Sequence, residues 1–305
     1  MGEPSLYSDL VLPEDQASLQ DLDFVATQIV DGFISGNHRS TMRGGCTEFA
    51  EHRAYSPGDE VRLLDWRVFA KSDRYYVKQF DEETSLNALL VLDVSGSMGF
   101  GMSTASKFAY ARSACACLAR LLLSQRDPVG LALSSLPQGT YIPPRSTATH
   151  FHLFLDRLAK AKPESETSLL ATLDEMIRRV RRRGVFLIFS DCFVDVTALQ
   201  KKLKIIRGRG HQVVVFHTMA PEELSFEFPA SSRFECLEVN GYHLDLDPVV
   251  IREQYLEGVH DFLDELKAAC TSCGCDYVPV NTGVPLGETI AAYLRERTAK
   301  TSNSR

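Results

Sequence analysis

Three oxygen-bearing side chains follow one apolar run at a spacing of two residues. Asp93 ends the run, and Ser95 and Ser97 come next in the sequence Asp-Val-Ser-Gly-Ser. A carboxylate and two hydroxyls are hard oxygen ligands, which suit Mg²⁺ or a similar small dication. Because only one of the three carries a charge, we expect a weak metal site. Such a site leaves coordination positions open for water and for a carboxylate from another protein.

The segments on either side of this motif predict where it lies in the fold. Residues 88–92 form a continuous apolar run, which is typical of a strand buried on both faces, and a helical pattern begins near Ser106. A strand, a Gly/Ser turn and a helix make the first half of a βαβ unit. Ligands of such sheets bind at the carboxyl ends of the strands. Asp93 is predicted to lie at such an end.

A second apolar run, residues 184–190, is also followed by an aspartate, Asp191. Two parallel strands that end in aspartate at the same edge of a sheet can converge on one cation. Between the two runs, Thr167 or Ser168 begins another helical pattern, and the hydroxyl there is either a helix cap or a further ligand. The predicted metal ligands are therefore Asp93, Ser95, Ser97, Thr167 and Asp191.

The motif has two other interpretations. Asp93 and the serines could simply cap the turn and the helix that follows. A dinucleotide site is disfavoured, because Gly96, Gly99 and Gly101 do not follow the Gly-x-Gly-x-x-Gly order. The next predicted strand, near residues 129–134, also ends without the acidic residue that would hold a ribose.

The order of the five predicted ligands resembles the metal-ion-dependent adhesion site of von Willebrand factor type A (vWA) domains. The resemblance implies a Rossmann-type, mostly parallel sheet flanked by helices, with Mg²⁺, or else Mn²⁺ or Ca²⁺, as the bound ion. It also implies that Asp191 lies behind the other ligands. The residues before Thr167 lack the glycine usual at this place, so Ser165 or Ser168 could take the role of Thr167.

The upstream segment, residues 36–83, resembles the signature of the bacterial family catalogued as domain of unknown function 58, whose members carry a vWA domain. The matching residues are Gly36, His38, Arg39, Ser40, Arg43, Gly44, Glu48, Phe49, Arg53, Tyr55, Pro57, Gly58, Asp59, Asp65, Trp66, Arg67, Tyr76, Val77, Lys78, Glu82 and Glu83, with Arg252, Tyr255, Tyr293, Leu294 and Arg297 nearer the C terminus. Relatives often accompany AAA+ ATPases of the MoxR type, so the resemblance implies a partner of that kind.

These observations predict a non-catalytic, metal-dependent interaction domain whose cation is completed by an acidic side chain of a protein partner. The alternative is a metal-dependent hydrolase that uses Asp93 as ligand or nucleophile. Hydrolases usually need a general base or a second metal carboxylate beside the first. No second acid follows Asp93 within ten residues. His217, at the end of a later strand, could approach as a base, but a core or capping histidine is the favoured interpretation.

Composition limits the function classes further. The formal net charge of the 305 residues is −7, which argues against general nucleic-acid binding. The apolar runs are shorter than ten residues, too short to span a bilayer, and the first 20 residues lack the apolar core of a signal peptide. Of eight cysteines, Cys270, Cys273 and Cys275 form a C-x₂-C-x-C group without an evident fourth ligand. We therefore expect reduced thiols and a cytoplasmic location.

The chain divides into a flexible N terminus at residues 1–20, a β-rich family-specific subdomain at 21–85 and a vWA-like domain at 86–300. Strands are predicted near residues 87–93, 129–134, 185–190, 212–217 and 276–280, with helices between them. Residues 220–247 break this alternation. Within them, two apolar segments flank Asn240-Gly241, which predicts a β-hairpin insertion.

Overall fold

The computed structural model of the protein describes residues 19–36, 48–54, 66, 68–69, 75–81, 87–102, 105–135, 139–163, 168–229, 232–238 and 241–303. Every structural statement below concerns these residues. The predicted flexible segment 1–20 lies outside them except for its last two residues. Most of the charged segment between residues 37 and 75, and the candidate ligands Ser165 and Thr167, also lie outside them.

The elements alternate between strand and helix through most of the chain. In order they are α1 (Leu19–Gly36), β1 (Glu48–Ala54), β2 (Tyr76–Asp81), β3 (Asn87–Leu92), α2 (Lys107–Ser124), β4 (Val129–Leu133), β5 (Tyr141–Arg145), α3 (Ala148–Lys160), α4 (Leu169–Arg179), β6 (Gly184–Ser190), α5 (Val196–Gly208), β7 (Gln212–Met219), α6 (Pro221–Ser225), β8 (Ser232–Glu235), β9 (His243–Leu246), α7 (Pro248–Ser272), β10 (Asp276–Asn281) and α8 (Leu286–Asn303). A 3₁₀ helix, Gly96–Gly99, follows β3.

Six strands form one sheet in the order β10-β7-β6-β3-β4-β5. All neighbouring pairs are parallel except β4 and β5. Counted along the sheet-forming strands alone, this is the 3-2-1-4-5-6 order of Rossmann-type folds. The predicted fold class, a mostly parallel sheet flanked by helices, is confirmed.

The order of strands reverses between β3 and β6. From β3 the chain continues to its neighbour on one side, β4, and from β6 it continues to the neighbour on the opposite side, β7. Such a switch point opens a crevice at the carboxyl ends of the two strands, where ligands of open α/β sheets bind. Asp93 and Asp191 follow these two strands directly.

The apolar runs that predicted β3 and β6 are buried on both faces of the sheet. Leu90 and Leu92 pack into a core with α1, α2, α3 and α8, whereas Leu89 and Val91 pack into a second core with α4, α5 and α7. Side chains of a strand alternate between faces. A strand covered on both sides therefore needs apolar residues at every position.

Strand β5, the antiparallel edge of the sheet, was not among the predicted strands. Its sequence, Tyr-Ile-Pro-Pro-Arg, contains Pro143 and Pro144, which disfavour a strand assignment because proline has no amide hydrogen to donate. The edge position explains why it forms nevertheless. β5 pairs only with β4, so its proline nitrogens are not required for a second ladder.

Two smaller sheets accompany the main one. β1 and β2 pair antiparallel, as the prediction of a β-rich segment near residue 50 requires. β8 and β9 pair antiparallel with Glu235 opposite His243, which confirms the hairpin insertion. Gly241 in its turn has φ of +80°, a conformation that glycine adopts without the strain of a side chain. No helix among the described residues has the length and apolar content needed to cross a membrane.

Gly184→Ala is expected to destabilise the protein by about 1–3 kcal/mol. A Cβ at this position would lie 2.0 Å from the carbonyl oxygen of Asn87, its partner in the ladder between β3 and β6. The two strands that carry the candidate site would have to separate. Urea denaturation measures the change in the free energy of unfolding.

The matched control is Gly258→Ala, on the exposed face of α7, where an added Cβ meets no atom within 4 Å. Alanine is favoured over glycine in a helix, so this variant should be neutral or more stable. If both variants changed stability equally, the close approach at Gly184 would have no energetic consequence.

Candidate functional site

Asp93 is buried at the carboxyl end of β3 and is held by three donors. Its Oδ1 accepts hydrogen bonds from the Ser134 hydroxyl at 2.7 Å and from the Ser95 amide at 3.1 Å. Its Oδ2 accepts one from the Ser190 hydroxyl at 2.5 Å. The residue is 3% exposed. Burial raises the pKa of the Asp93 carboxyl above its ordinary value, and the negative charge of Asp191 raises it further.

Ser134 and Ser190 were not predicted as site residues. Each ends a strand that neighbours β3: Ser134 follows β4, and Ser190 is the last residue of β6. A hydroxyl residue at the end of each adjacent strand is the signal that would have found them. The hydroxyls of Ser134 and Ser190 orient the Asp93 carboxylate. The hydroxyls of Ser95 and Ser97 contact each other instead.

Ser95 and Ser97 face each other on the loop after β3. Their Oγ atoms lie 3.1 Å apart, and both side chains are partly buried. Two hydroxyl oxygens at this separation can serve as neighbouring ligands of one cation. The structure thus brings Asp93, Ser95 and Ser97 together on a single loop.

Of the three candidates for the next ligand, only Ser168 lies among the described residues. Its Oγ accepts a hydrogen bond from the Ala171 amide at 3.2 Å and so caps α4. Its own amide donates to the carbonyl oxygen of Ser134 at 3.3 Å. The chain that leads into α4 therefore reaches the residue that also binds Asp93. The role of Thr167 stays a prediction.

Asp191 is held by a buried lysine that the sequence analysis did not identify. Lys107 Nζ donates to Asp191 Oδ2 at 2.8 Å and to Glu223 Oε1 at 2.6 Å. Lys107 is 0% exposed and Asp191 is 1% exposed. The rings of Phe100 and Phe193 lie 5.9 and 5.4 Å from the lysine nitrogen. A lysine in the first turn of a helix carries no sequence signal of burial, so only the packing reveals this pair.

Among the described residues that form these contacts, carboxyl groups outnumber cations. Asp93, Asp191 and Glu223 are three carboxyl groups, and Lys107 is the cation that contacts two of them. Burial also raises the pKa of Glu223, despite the lowering by Lys107. Buried carboxyl groups are stabilised by hydrogen bonds, by protons or by further positive charge. A dication at the loop of Ser95 and Ser97 would supply two positive charges beside Asp93.

Comparison with known sequences places the chain in a family. Residues 51–259 match the family described as protein of unknown function DUF58. The chain belongs to this family. Uncharacterized proteins from Mycobacterium tuberculosis and Mycobacterium bovis are each 30% identical to this DUF58 chain over 222 residues, which is 72% of this chain and 69% of theirs. The region that matches the family, residues 51–259, contains the loop after β3, Lys107, Asp191 and the hairpin.

Solved structures similar to this DUF58 chain include BatB from Bacteroides thetaiotaomicron, with a TM-score of 0.43 and 15% identity over 70% of this chain and 99% of BatB. An aerotolerance-related membrane protein from Bacteroides fragilis has a TM-score of 0.44 and 15% identity, with the same coverage. The VWA domain of SpRpn10 has a TM-score of 0.39 and 11% identity over 68% of this chain and 94% of that domain.

His217, the candidate general base of the hydrolase interpretation, is engaged at both ring nitrogens. Nε2 lies 2.9 Å from the carbonyl oxygen of Asp191, and Nδ1 lies 2.8 Å from the hydroxyl of Tyr277. Because a carbonyl only accepts, Nε2 carries the hydrogen and Nδ1 accepts from the tyrosine. Burial lowers the pKa of His217 from its ordinary value of 6.5 to about 4. The histidine therefore supports the backbone behind Asp191.

Acidification is expected to destabilise the protein through His217. Between pH 6.5 and 4 the unfolded chain binds a proton at this histidine and the folded chain does not, so stability falls as the pH falls. One pKa unit corresponds to about 1.4 kcal/mol, so the full effect at pH 4 is roughly 3 kcal/mol. Urea denaturation from pH 7 to 4 should show wild type losing that much more than His217→Gln. His152→Gln, on the exposed face of α3, should lose as much as wild type; equal loss in all three would contradict the assignment.

The cysteine group at the end of α7 forms no disulfide among the described residues. Cys270, Cys273 and Cys275 are free, and burial raises the pKa of both Cys270 and Cys275 to about 12. A metal site requires thiolates. The part of the chain that the structure describes contains no cluster of three or more histidine, cysteine, aspartate or glutamate residues arranged to hold a metal.

Proposed function

We propose that this DUF58 protein is a metal-dependent protein-interaction module. In this proposal Asp93, Ser95, Ser97, Thr167 and Asp191 hold Mg²⁺, or Mn²⁺ or Ca²⁺, directly or through water. An acidic side chain of a partner completes the coordination. In this proposal the protein catalyses no reaction on the partner. The cation provides binding energy because a carboxylate of the partner coordinates it.

The proposal rests on one observation: buried carboxyl groups are in excess near the hydroxyls of Ser95 and Ser97, which face each other. Asp93 accepts hydrogen bonds from the Ser134 and Ser190 hydroxyls and from the Ser95 amide. The two hydroxyls of Ser95 and Ser97 stand 3.1 Å apart on the same loop. In the proposal a cation takes the place of the hydrogen bond between these two hydroxyls and is attracted by the charge of Asp93.

A site of this kind binds its cation weakly and leaves it electrophilic. Hydroxyl ligands are neutral, and Asp191 is already paired with Lys107, so the protein neutralises only part of the charge of a dication. An incoming carboxylate gains a charge-assisted contact with the incompletely neutralised ion. A partner with an exposed acidic residue is the expected ligand.

The partner we propose is a MoxR-type AAA+ ATPase, acting with this protein in the assembly or maturation of protein complexes. This part rests on the family resemblance rather than on contacts of the site. The hydrolase alternative has less support. Among the described residues, the hydrogen bonds to Asp93 come from serine hydroxyls and an amide, and both nitrogens of His217 are engaged.

Isothermal titration with Mg²⁺ and Mn²⁺ tests the metal site. We expect one weak site in wild type, with Ser95→Ala and Ser97→Ala each weakening it on the order of tenfold or more. The same measurement on alanine variants of Ser165, Thr167 and Ser168 will decide which hydroxyl contributes. Ser272→Ala, which removes an exposed hydroxyl at the end of α7, is the control and should bind like wild type.

Pull-down with a MoxR-type ATPase tests the partner. Complex formation should require Mg²⁺ and should be lost with a chelator or with Ser95→Ala. Complex formation that survives both treatments would remove the proposed mechanism. Absence of any metal binding in the titration would remove the proposed function itself.

A further inference from the structure

The hairpin insertion places a carboxylate on the loop of the candidate site. Oε1 of Glu238 accepts a hydrogen bond from the backbone amide of Ser97 at 2.8 Å. The two residues are 141 positions apart in the chain. Glu238 itself is exposed and follows the first strand of the hairpin, β8. Its carboxylate therefore lies on the outer side of the loop whose hydroxyls form the proposed cation site.

The contact between hairpin and loop includes the backbone as well as this side chain. A Cβ built on Gly96 would lie 2.1 Å from the carbonyl oxygen of Leu237 and 2.8 Å from its carbonyl carbon. Only a glycine at position 96 permits this approach. The Leu237–Glu238 peptide is consequently seated on the middle residue of the Ser-Gly-Ser motif.

The hairpin is anchored so that it can present this segment. The ring of Phe226 stacks on Tyr255 of α7 with centroids 3.9 Å apart, and Phe234 of β8 lies 5.8 Å from Phe226. Phe228 packs edge-on against Phe234 at 5.1 Å. This aromatic cluster fixes the base of the hairpin against α7. Beyond β8, the backbone amide of Cys236 continues the pairing by donating to the carbonyl oxygen of Tyr242 at 2.9 Å.

We infer that Glu238 is an internal ligand of the site, which occupies the position meant for a partner's acid until the partner displaces the hairpin segment. The inference rests on the proposed function. The Ser97 amide can donate to one carboxylate at a time, and a cation beside Ser97 attracts Glu238 as it would attract an external acid. An acid on the same chain also has a high effective concentration, in the millimolar range or above.

The internal segment indicates what a displacing partner must offer. It combines an acidic side chain at the Ser97 amide with a peptide group close against Gly96. A partner segment in extended conformation with one exposed aspartate or glutamate satisfies both contacts. A partner surface that offers a carboxylate without accessible backbone satisfies only the first.

The experiment compares Glu238→Ala with Glu235→Ala in the full chain. Glu235 lies on the same hairpin and is also exposed, so its removal changes the net charge equally without touching the loop. Mn²⁺ is the metal probe and acetate is the carboxylate probe. Water-proton relaxation of bound Mn²⁺ reports the loss of a metal-bound water when acetate coordinates, and amide hydrogen exchange of Ser97 reports the hairpin contact without metal.

In Glu238→Ala we expect weaker Mn²⁺ binding, roughly tenfold tighter acetate binding to the Mn²⁺-loaded protein, and faster exchange of the Ser97 amide. Glu235→Ala should match wild type in all three. Mn²⁺ bound by all three proteins with the same response to acetate would overturn the internal ligand and leave the proposed function standing. Mn²⁺ bound by none of them would overturn the proposed function, and the internal ligand with it.

Discussion

Lys107→Met is expected to lower the free energy of unfolding by about 3–5 kcal/mol in metal-free buffer. The substitution keeps the length of the side chain but leaves Asp191 and Glu223 without the ammonium that lies 2.8 and 2.6 Å from them. Both carboxyl groups remain buried, so they must either stay charged in a poor environment or take up protons. Urea denaturation at neutral pH measures the loss.

The matched control is Lys202→Met, which removes a lysine from a half-exposed pair with Asp174 at 2.6 Å. Pairs of this kind contribute about 0–1 kcal/mol, so this variant should remain close to wild type. Added Mg²⁺ should stabilise Lys107→Met more than wild type, because the buried negative charge has increased. Equal destabilisation of the two methionine variants would show that the buried Lys107 pair contributes no more to stability than the Lys202 pair.

Asp93→Asn is expected to weaken Mg²⁺ binding by roughly 100-fold while raising the melting temperature of the metal-free protein. Burial raises the pKa of this carboxyl, which means that the folded protein disfavours its charged form. An amide of the same size removes that cost and can still accept from the Ser95 amide. Titration calorimetry measures the first effect, and thermal denaturation with a chelator measures the second.

Asp195→Asn is the control for both measurements. Asp195 caps α5 by accepting from the Ala198 amide at 2.6 Å, and it is exposed. Its substitution should leave Mg²⁺ binding unchanged. Wild-type affinity in Asp93→Asn would remove Asp93 from the metal site, and a lower melting temperature would mean that its bonds to Ser134 and Ser190 outweigh the cost of its burial.

Opposite effects on stability and binding are the signature expected of a binding site. Asp93, Asp191 and Glu223 are all buried, and burial of a carboxyl group costs free energy. Residues that cost stability are retained where they hold a ligand. Asp93, which is bonded to serine hydroxyls and an amide, differs in this respect from Asp191, which is paired with the buried Lys107.

The sequence by itself determined the central strands and the two aspartates at their ends. A strand covered on both faces needs an uninterrupted apolar run, and β3 and β6 provide such runs. An acidic residue directly after each run lies at the carboxyl end of its strand, which located Asp93 and Asp191. The hairpin was likewise predicted from a local signal, the Asn-Gly turn between two apolar segments.

Only the tertiary structure decided what surrounds those aspartates. Ser134 and Ser190 reach Asp93 from 41 and 97 residues away, Lys107 joins Glu223 across 116 residues, and Glu238 reaches Ser97 across 141. Each contact depends on which strands are neighbours and on where a helix or hairpin packs over their ends. Local patterns report whether a residue ends a strand. They do not report which other strand ends beside it, because strand order is set by long-range packing.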